Sequence, residues 1–143
     1  ENVSGSITAL SFPVGFETAL GRATITPFLM VDQQPRSSFG LSYRTIVAGD
    51  AGWFEYKLHL VYNAVISETD SAHKTLDDNT QATEFQVSCA CRPENFGALA
   101  PKSHAVVNST EPNIDALEAV LYGSSTTDPR LPNGVELITI LGW

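Results

Sequence analysis

The prolines of this chain lie on either side of one long stretch that contains none. Eight prolines occur in 143 residues, and none falls between positions 36 and 92. Proline cannot donate a ladder hydrogen bond, so paired strands form without interruption where it is missing. The strongest strand patterns of the chain lie in this stretch, which predicts a fold dominated by β-structure.

Two alternating runs inside this stretch predict a β-hairpin. Residues 39–48 read FGLSYRTIVA, and one face of that strand carries Phe39, Leu41, Tyr43 and Val47. Residues 53–62 read WFEYKLHLVY, with an apolar face of Phe54, Tyr56, Leu58, Leu60 and Tyr62 and a polar face of Glu55, Lys57 and His59. Gly49, Asp50 and Gly52 between the runs suit a tight turn. Alternation with a period of two predicts antiparallel strands with one buried and one solvated face.

A polar segment follows the hairpin. Residues 67–83 include a single lysine and four acidic side chains, which are Glu68, Asp70, Asp77 and Asp78. This composition predicts a long, exposed acidic loop. Loops longer than about 12–15 residues in a compact domain are usually functional or disordered, so this loop is a candidate for a functional contact.

Further strands are predicted at residues 3–12, 84–92 and 103–108, and residues 13–38 are predicted to be an irregular connection. In the strand at 84–92, the inward residues are Phe85, Val87, Cys89 and Cys91, and the outward residues are Glu84, Gln86 and Ser88. Cysteines at i and i+2 share one face of a strand and do not easily reach disulfide geometry. Two buried thiols are therefore expected, with a strained disulfide and a metal pair as minor alternatives. Free thiols favour synthesis in a reducing compartment.

The period changes after residue 110. Ile114, Leu117 and Leu121 recur at helical spacing, which predicts one helix that Ser109 or Thr110 caps and Gly123 ends. The final run VELITILGW suits either a last strand or a short helix. The predicted fold class is a β-dominated α+β fold, an antiparallel sandwich or barrel with one helix packed on the sheet. The length predicts a single domain over residues 1–143.

The charge balance excludes a protein that grips nucleic acid. Sixteen acidic side chains against 8 basic ones give a net charge of −8, whereas neutralising phosphates requires lysine and arginine. No apolar run approaches the ~20 residues that span a bilayer, so no membrane contact is expected. The nucleophile elbow, the P-loop and the dinucleotide fingerprint are absent. We therefore expect no catalytic activity and no cofactor.

Weaker patterns point to no specific chemistry. The three histidines, which are His59, His73 and His104, show no metal-ligand spacing. Residues 77–79 lack the alternating oxygen ligands, the central glycine and the terminal glutamate of a calcium loop. Glu55 and Glu84 would form a general acid–base pair if their strands were neighbours, but solvated glutamates on a strand are the simpler interpretation.

The hairpin and the C-terminal third together resemble a known family. The family's hairpin reads K-x-FG-x-x-YRT-x-x-G, then YK-x-H-x-VYG; the matching positions here are Phe39, Gly40, Tyr43, Arg44, Thr45, Gly49, Tyr56, Lys57, His59, Val61 and Tyr62. Residues 75–88, TLDDNTQATEFQVS, match its next step, IDALEAVLYG matches its helix L-x-x-LE-x-x-LYG, and PRLPNGVEL matches PRLP-x-P-x-E. Over about residues 30–143 the chain resembles the major tail proteins of long-tailed bacteriophages, the subunits of the tail tube. It departs from them where they have glycine at Asn63 and proline at Asn133 or Gly134.

The resemblance implies a non-enzymatic structural protein of the virion tail, synthesised in the host cytoplasm. Such subunits form hexameric rings that stack into a tube, bind other tail proteins and let double-stranded DNA pass without specific binding. Alternation along the hairpin then suggests that Glu55, Lys57 and His59 face the lumen, together with Glu84 on the neighbouring strand. One of two segments is expected to contact the next ring. These are residues 66–83, which include Glu68, Asp70, Asp77 and Asp78, and residues 22–38. The resemblance leaves open whether an N-terminal portion is lacking.

Two other readings remain open. Clustered aromatic residues and two Asn-X-Ser/Thr sequons suit a secreted or surface β-sandwich binding module. A tube protein of a contractile injection or type VI secretion system would share the tail tube fold.

Overall fold

Strands outweigh helices in this chain, at 44% against 19%, and two α-helices lie among the described residues. The computed structural model describes residues 3–9, 14–26, 28–32, 34–48, 54–70 and 85–143. The strands are β1 (Val3–Ala9), β2 (Ala23–Thr26), β3 (Leu29–Val31), β4 (Phe39–Ala48), β5 (Phe54–Asp70), β6 (Phe85–Cys91) and β7 (His104–Asn108); a 3₁₀ helix covers Val14–Thr18, and the α-helices are α1 (Ile114–Tyr122) and α2 (Gly134–Ile140). The chain divides into two compact units, Glu1–Phe39 with Ala64–Cys91 and Gly40–Asn63 with Arg92–Trp143. The β-dominated class is therefore confirmed, whereas the prediction of one helix was incomplete.

In the first unit, β6 pairs with β1 on one side and with the end of β5 on the other. The β1–β6 register runs from Val3 opposite Cys91 to Ala9 opposite Phe85. The unit's buried apolar side chains include Ala19, Leu20, Ile66, Val87, Cys89 and Cys91. Both cysteines are free thiols, as the spacing predicted. The predicted strands at residues 3–12 and 84–92 are confirmed as β1 and β6 over the described residues, and residues 10–12 and 84 lie outside them.

The predicted start of the acidic loop was wrong. Residues 67–70 belong to β5, where Glu68 lies opposite Ser88 and Asp70 opposite Gln86. The register shifts between Ile66 and Glu68, and Arg36 Nη1 donates to the carbonyls of Ile66 and Ser67, each at 2.8 Å. Backbone pairing with β6 therefore extends the strand although the side-chain pattern turns polar. The rest of the predicted loop lies outside the described residues.

Residues 13–38 are more regular than predicted. They contain the 3₁₀ helix and an antiparallel hairpin of β2 and β3, in which Ala23 lies opposite Val31. Thr26 Oγ1 accepts a hydrogen bond from the backbone N–H of Phe28 across the turn, at 3.3 Å. We call residues 23–31 the β2–β3 hairpin.

In the second unit, β5 packs its apolar face against both helices. One buried cluster contains Leu58, Leu60 and Tyr62 of β5, Val107 of β7, Phe96, the α1 residues Ile114, Leu117 and Leu121, and Leu137 of α2. Leu58, Leu60 and Leu117 are completely buried. The predicted apolar face of the second hairpin strand and the predicted helical stripe are thus confirmed, and the helix packs on the sheet as expected.

The predicted facing of β4 was wrong. Its Tyr43 ring stacks on His59, a polar-face residue of β5, at a centroid distance of 4.6 Å. The neighbouring Arg44 instead lies over the rings of Tyr56 and Tyr122. The aromatic rings and a carboxylate stabilise the arginine on the side of β4 that faces α1. The alternation of apolar residues therefore predicted the wrong side of β4 to be covered by the helix. The predicted turn at residues 49–52 lies outside the described residues.

The helix ends were predicted only in part. Asn113, rather than Ser109 or Thr110, precedes α1, and its side chain makes no capping hydrogen bond. Ser109 Oγ accepts from the backbone N–H of Tyr56 at 3.2 Å instead. Gly123 ends α1, as predicted, with φ of 67° and ψ of −165°, a backbone conformation that favours glycine.

The last apolar run, VELITILGW, contributes to a helix, α2, rather than to a strand. Asn133 precedes α2, and its side-chain oxygen accepts from the backbone N–H of Glu136 at 2.8 Å. The Glu136 carboxylate also pairs with Arg130, whose Nη1 lies 2.8 Å from Oε2, and this guanidinium lowers the pKa of the carboxyl. An N-terminal cap with an acidic residue in the first turn favours a helix over a strand here.

Candidate functional site

Most of the predicted lumen-facing residues lie on the polar face of β5 in the second unit. Glu55 and Lys57 are exposed, and His59 is half-buried. The alternate residues Leu58 and Leu60 point into the core, so the polar residues share the opposite face of the strand. The alternation that predicted this face is confirmed for β5.

The described residues test only part of the predicted set. Glu84 lies outside them, as do Asp77 and Asp78. Glu68 and Asp70 lie on β5 rather than on a loop. The suggested acid–base pair of Glu55 and Glu84 stays a prediction, because Glu84 lies outside the described residues.

Three aromatic rings form a row on the polar face, one from each of three strands. Tyr43 of β4 stacks on His59 of β5 with 1° between the ring planes. His59 in turn lies beside His104 of β7, with centroids 5.2 Å apart and 5° between the planes. The β5–β7 register places Val61 opposite His104, so the two histidines are diagonal neighbours across the pair of strands.

Both ring nitrogens of His59 have polar partners. Its Nδ1 lies 3.0 Å from Nε2 of His104, and its Nε2 lies 2.9 Å from Oγ1 of Thr45. Burial, together with His104 and Lys57, lowers the pKa of His59. A lowered pKa keeps this imidazole neutral at neutral pH, so the row of rings carries no charge on its central member.

The opposite face of β4 carries a cluster that ties the strand to α1. Arg44 Nη2 lies 2.6 Å from Oε1 of Glu118, and the Tyr56 hydroxyl donates to the same oxygen at 2.7 Å. The Arg44 guanidinium carbon lies 4.5 Å from the Tyr56 ring centroid and 5.3 Å from that of Tyr122. The hydrogen bond to Glu118, with burial, raises the pKa of Tyr56. We call these four residues the Arg44 cluster.

The cluster joins separate parts of the sequence motifs. Arg44 and Tyr56 belong to the hairpin motif, whereas Glu118 and Tyr122 belong to the helix motif. Two residues of each motif are therefore in contact with one another.

Two features of the described part of the chain bear on cofactor binding. Within it, no group of three or more histidine, cysteine, aspartate or glutamate side chains is placed to hold a metal ion. An open pocket in the second unit is lined by apolar side chains with one threonine, including Phe96, Leu99, Val106, Val135, Leu137 and Trp143. Its lining has no titratable group, so it provides neither a general base nor a nucleophile. No helix in the described ranges combines the length and apolarity that crossing a membrane requires.

Sequence reasoning missed the meeting of His59 and His104. They are separated by 45 positions, and only the β5–β7 register brings them together. No short-range spacing contains that information, because the pairing of distant strands depends on the whole core.

Comparison with known proteins gives no match: neither a protein-family model, nor a curated protein, nor a solved structure is similar to this chain.

Proposed function

We propose that this chain is a structural subunit of a bacteriophage tail tube. In this proposal, copies of the chain form hexameric rings that stack into a hollow tube, bind other tail proteins and allow double-stranded DNA to pass during ejection. The protein is non-enzymatic and is located in the tail of the virion. Four groups of observations support the proposal, and the first of them carries most of its weight.

The proposal rests mainly on the apolar surface of the β2–β3 hairpin. Phe28 is 97% exposed, Ile25 is 68% exposed, and Leu29 and Met30 are each 49% exposed. Four large apolar side chains within six positions favour a surface that another molecule covers. The hairpin lies within residues 22–38, one of the two segments expected to contact the next ring.

The edge of β4 supports association through strands. In the sheet, β4 is hydrogen-bonded only to β5 among the described strands, so its other edge pairs with none of them. Ile46 is 76% exposed on this ten-residue strand. Long apolar edge strands aggregate unless they are protected or paired, and closure of a barrel across subunits is one way to pair them.

The backbone at Asn63 supports the family resemblance. Asn63 has φ of 50°, a left-handed conformation that glycine adopts most easily and asparagine tolerates. The family has glycine at this position, so the departure keeps the same backbone requirement. The mutual contacts of the Arg44 cluster, which draws on two separate family motifs, support the resemblance in the same way.

The charge of the chain is compatible with DNA that passes without binding. Glu55 and Lys57 balance one another on the polar face of β5, the proposed lumen-facing Glu84 adds one negative charge, and the whole chain has a net charge of −8. A net negative wall repels phosphates and lets a duplex slide.

The proposal is tested by the assembly of purified chains. Light scattering and negative-stain electron microscopy should reveal rings or tubes for the native chain. Phe28→Asp should prevent stacking, because it places a charge where an apolar contact is proposed. Thr26→Asp is the matched control: it adds the same charge to the same hairpin at an exposed position, and the aspartate can still accept the hydrogen bond from Phe28. A native chain that remains monomeric at high concentration contradicts the proposal, as does equal assembly of the Phe28→Asp variant.

One observation favours a second candidate, the secreted or surface binding module. The apolar pocket of the second unit is open, and Trp143 beside it is 84% exposed, which is typical of a site for an apolar ligand. A monomeric native chain in the light-scattering experiment would favour this candidate over the tail tube.

A further inference from the structure

The contact between His59 and His104 brings two ring nitrogens to the separation of adjacent ligands of a metal ion. His59 Nδ1 and His104 Nε2 lie 3.0 Å apart. Two metal–nitrogen bonds of ~2.0–2.1 Å that meet at a right angle hold their nitrogens ~2.8–3.0 Å apart, whereas a tetrahedral angle requires ~3.3–3.4 Å. The observed separation therefore corresponds to neighbouring corners of a square-planar or octahedral site.

We propose that His59 and His104 together bind a divalent transition metal ion, with Cu²⁺ preferred to Ni²⁺ and both preferred to Zn²⁺. Cu²⁺ and Ni²⁺ favour right-angled nitrogen ligands, and Cu²⁺ binds most tightly in the usual order of divalent metals. Imidazole donors do not suit Mg²⁺ or Ca²⁺, which require oxygen ligands. This site is independent of the tail tube proposal, because it uses two residues of a single chain.

The metal ion takes the place of one proton. In either tautomer, a single proton lies between the two nitrogens in the metal-free contact. When the ion binds, that proton moves through solvent to the other nitrogen of the ring that carried it. A proton that was on His104 Nε2 therefore leaves His104 as its Nδ1–H tautomer. Each ring turns by about 45° within its own plane, because the two metal–nitrogen bonds meet at a right angle, and this brings both lone pairs onto the ion.

Thr45 and Tyr43 orient the first of the two ligands. With Nδ1 of His59 on the metal, its Nε2–H donates to Oγ1 of Thr45, 2.9 Å away. Metal-bound histidines nearly always donate their second N–H in this way, which fixes the tautomer and the ring orientation. The stacked Tyr43 ring packs against one face of His59 and keeps the plane of that ring in place.

Solvent reaches the two histidines, so water can bind the same metal ion. Both histidines are only half-buried, and the part of the chain that the structure describes places no third histidine, cysteine or carboxylate with them. Water therefore completes the coordination of the ion. A two-histidine site of this kind binds more weakly than a closed structural site and exchanges its metal freely.

The test is a Cu²⁺ titration of the untagged full chain, with electron paramagnetic resonance at one equivalent of metal. The native spectrum should show splitting from two nitrogens. His59→Asn and His104→Asn should each weaken Cu²⁺ binding at least ~10-fold and lose the two-nitrogen pattern, and Thr45→Val should weaken binding within the ~10- to 100-fold range of orienting partners. His73→Asn is the matched control and should bind as the native chain does.

The native chain alone provides the second measurement, which does not depend on the variants folding. Substoichiometric Cu²⁺ should broaden the amide resonances around His59 and His104 before all others. Broadening centred elsewhere, or unchanged Cu²⁺ affinity in folded His59→Asn and His104→Asn chains, overturns the proposal.

Discussion

The left-handed backbone of Asn63 allows a prediction in which two variants of one residue control for each other. Its backbone has φ of 50°, its side-chain Nδ2 donates to Oε2 of Glu94 at 2.9 Å, and its carbonyl accepts from the N–H of Arg92 at 3.1 Å. Glycine at this position loses the side-chain hydrogen bond but relieves the backbone. Alanine loses the same hydrogen bond and keeps an unfavourable backbone.

The magnitudes separate the two effects. A hydrogen bond to a charged group stabilises by about 1.5 kcal/mol at the lower end of its range, which suits the half-buried Asn63–Glu94 pair. Left-handed φ costs an ordinary residue about 1 kcal/mol more than glycine. We therefore expect the free energy of unfolding to fall by about 1 kcal/mol in Asn63→Gly and by about 2 kcal/mol in Asn63→Ala, because asparagine already bears part of the backbone cost.

Urea unfolding followed by circular dichroism measures both variants. Equal slopes against urea concentration would show that the two unfolding reactions are comparable. The reasoning is refuted if Asn63→Ala is as stable as Asn63→Gly or more so, because the residue would then not require a left-handed backbone. That result would also remove the correspondence between Asn63 and the glycine of the family motif.

Three further predictions concern the core, the segment of residues 71–80 and the thiols. Leu117→Ala should lower the free energy of unfolding by about 3 kcal/mol, since it removes a completely buried side chain; a loss below about 1 kcal/mol in urea unfolding would contradict the packing. Deleting residues 71–80, which spares the paired end of β5, should leave the melting transition intact but abolish tubes in electron micrographs, and normal tubes would exclude this segment from the ring contact. Burial raises the pKa of the Cys91 thiol, so the stability that it contributes is complete below the unfolded pKa and is lost as the pH rises through the folded pKa. Ellman's reagent should accordingly label Cys89 and Cys91 only when the protein unfolds, and rapid labelling of the native chain would contradict their burial.

The sequence predicted the elements whose patterns are long and lie against one core. The alternation of Leu58, Leu60 and Tyr62 and the helical spacing of Leu117 and Leu121 each extend over enough positions to identify one face. Both faces are buried in the structure. Burial of apolar side chains dominates the stability of such elements, so a pattern of apolar residues was sufficient.

Two features could not be predicted in the same way: which face of β4 meets the helix, and which distant strands pair. In β4, Tyr43 and Arg44 both find stabilising partners, on opposite faces of the strand, and alternation does not say which face meets the helix. The contact of His59 with His104 depends on the register of two strands from different parts of the chain. The end of β5 was missed because backbone hydrogen bonds, rather than side chains, extend it past residue 66.

The register of β5 with β7 determines more than the packing of the two strands. Leu58 lies opposite Val107 on the core side, and the same alignment sets the spacing of the two imidazoles on the other side. Moving β7 by one residue would expose Val107 and separate the rings together. The ring protons of His59 and His104 therefore report the alignment of these strands, and a refolding experiment observed through them would time when the register is established.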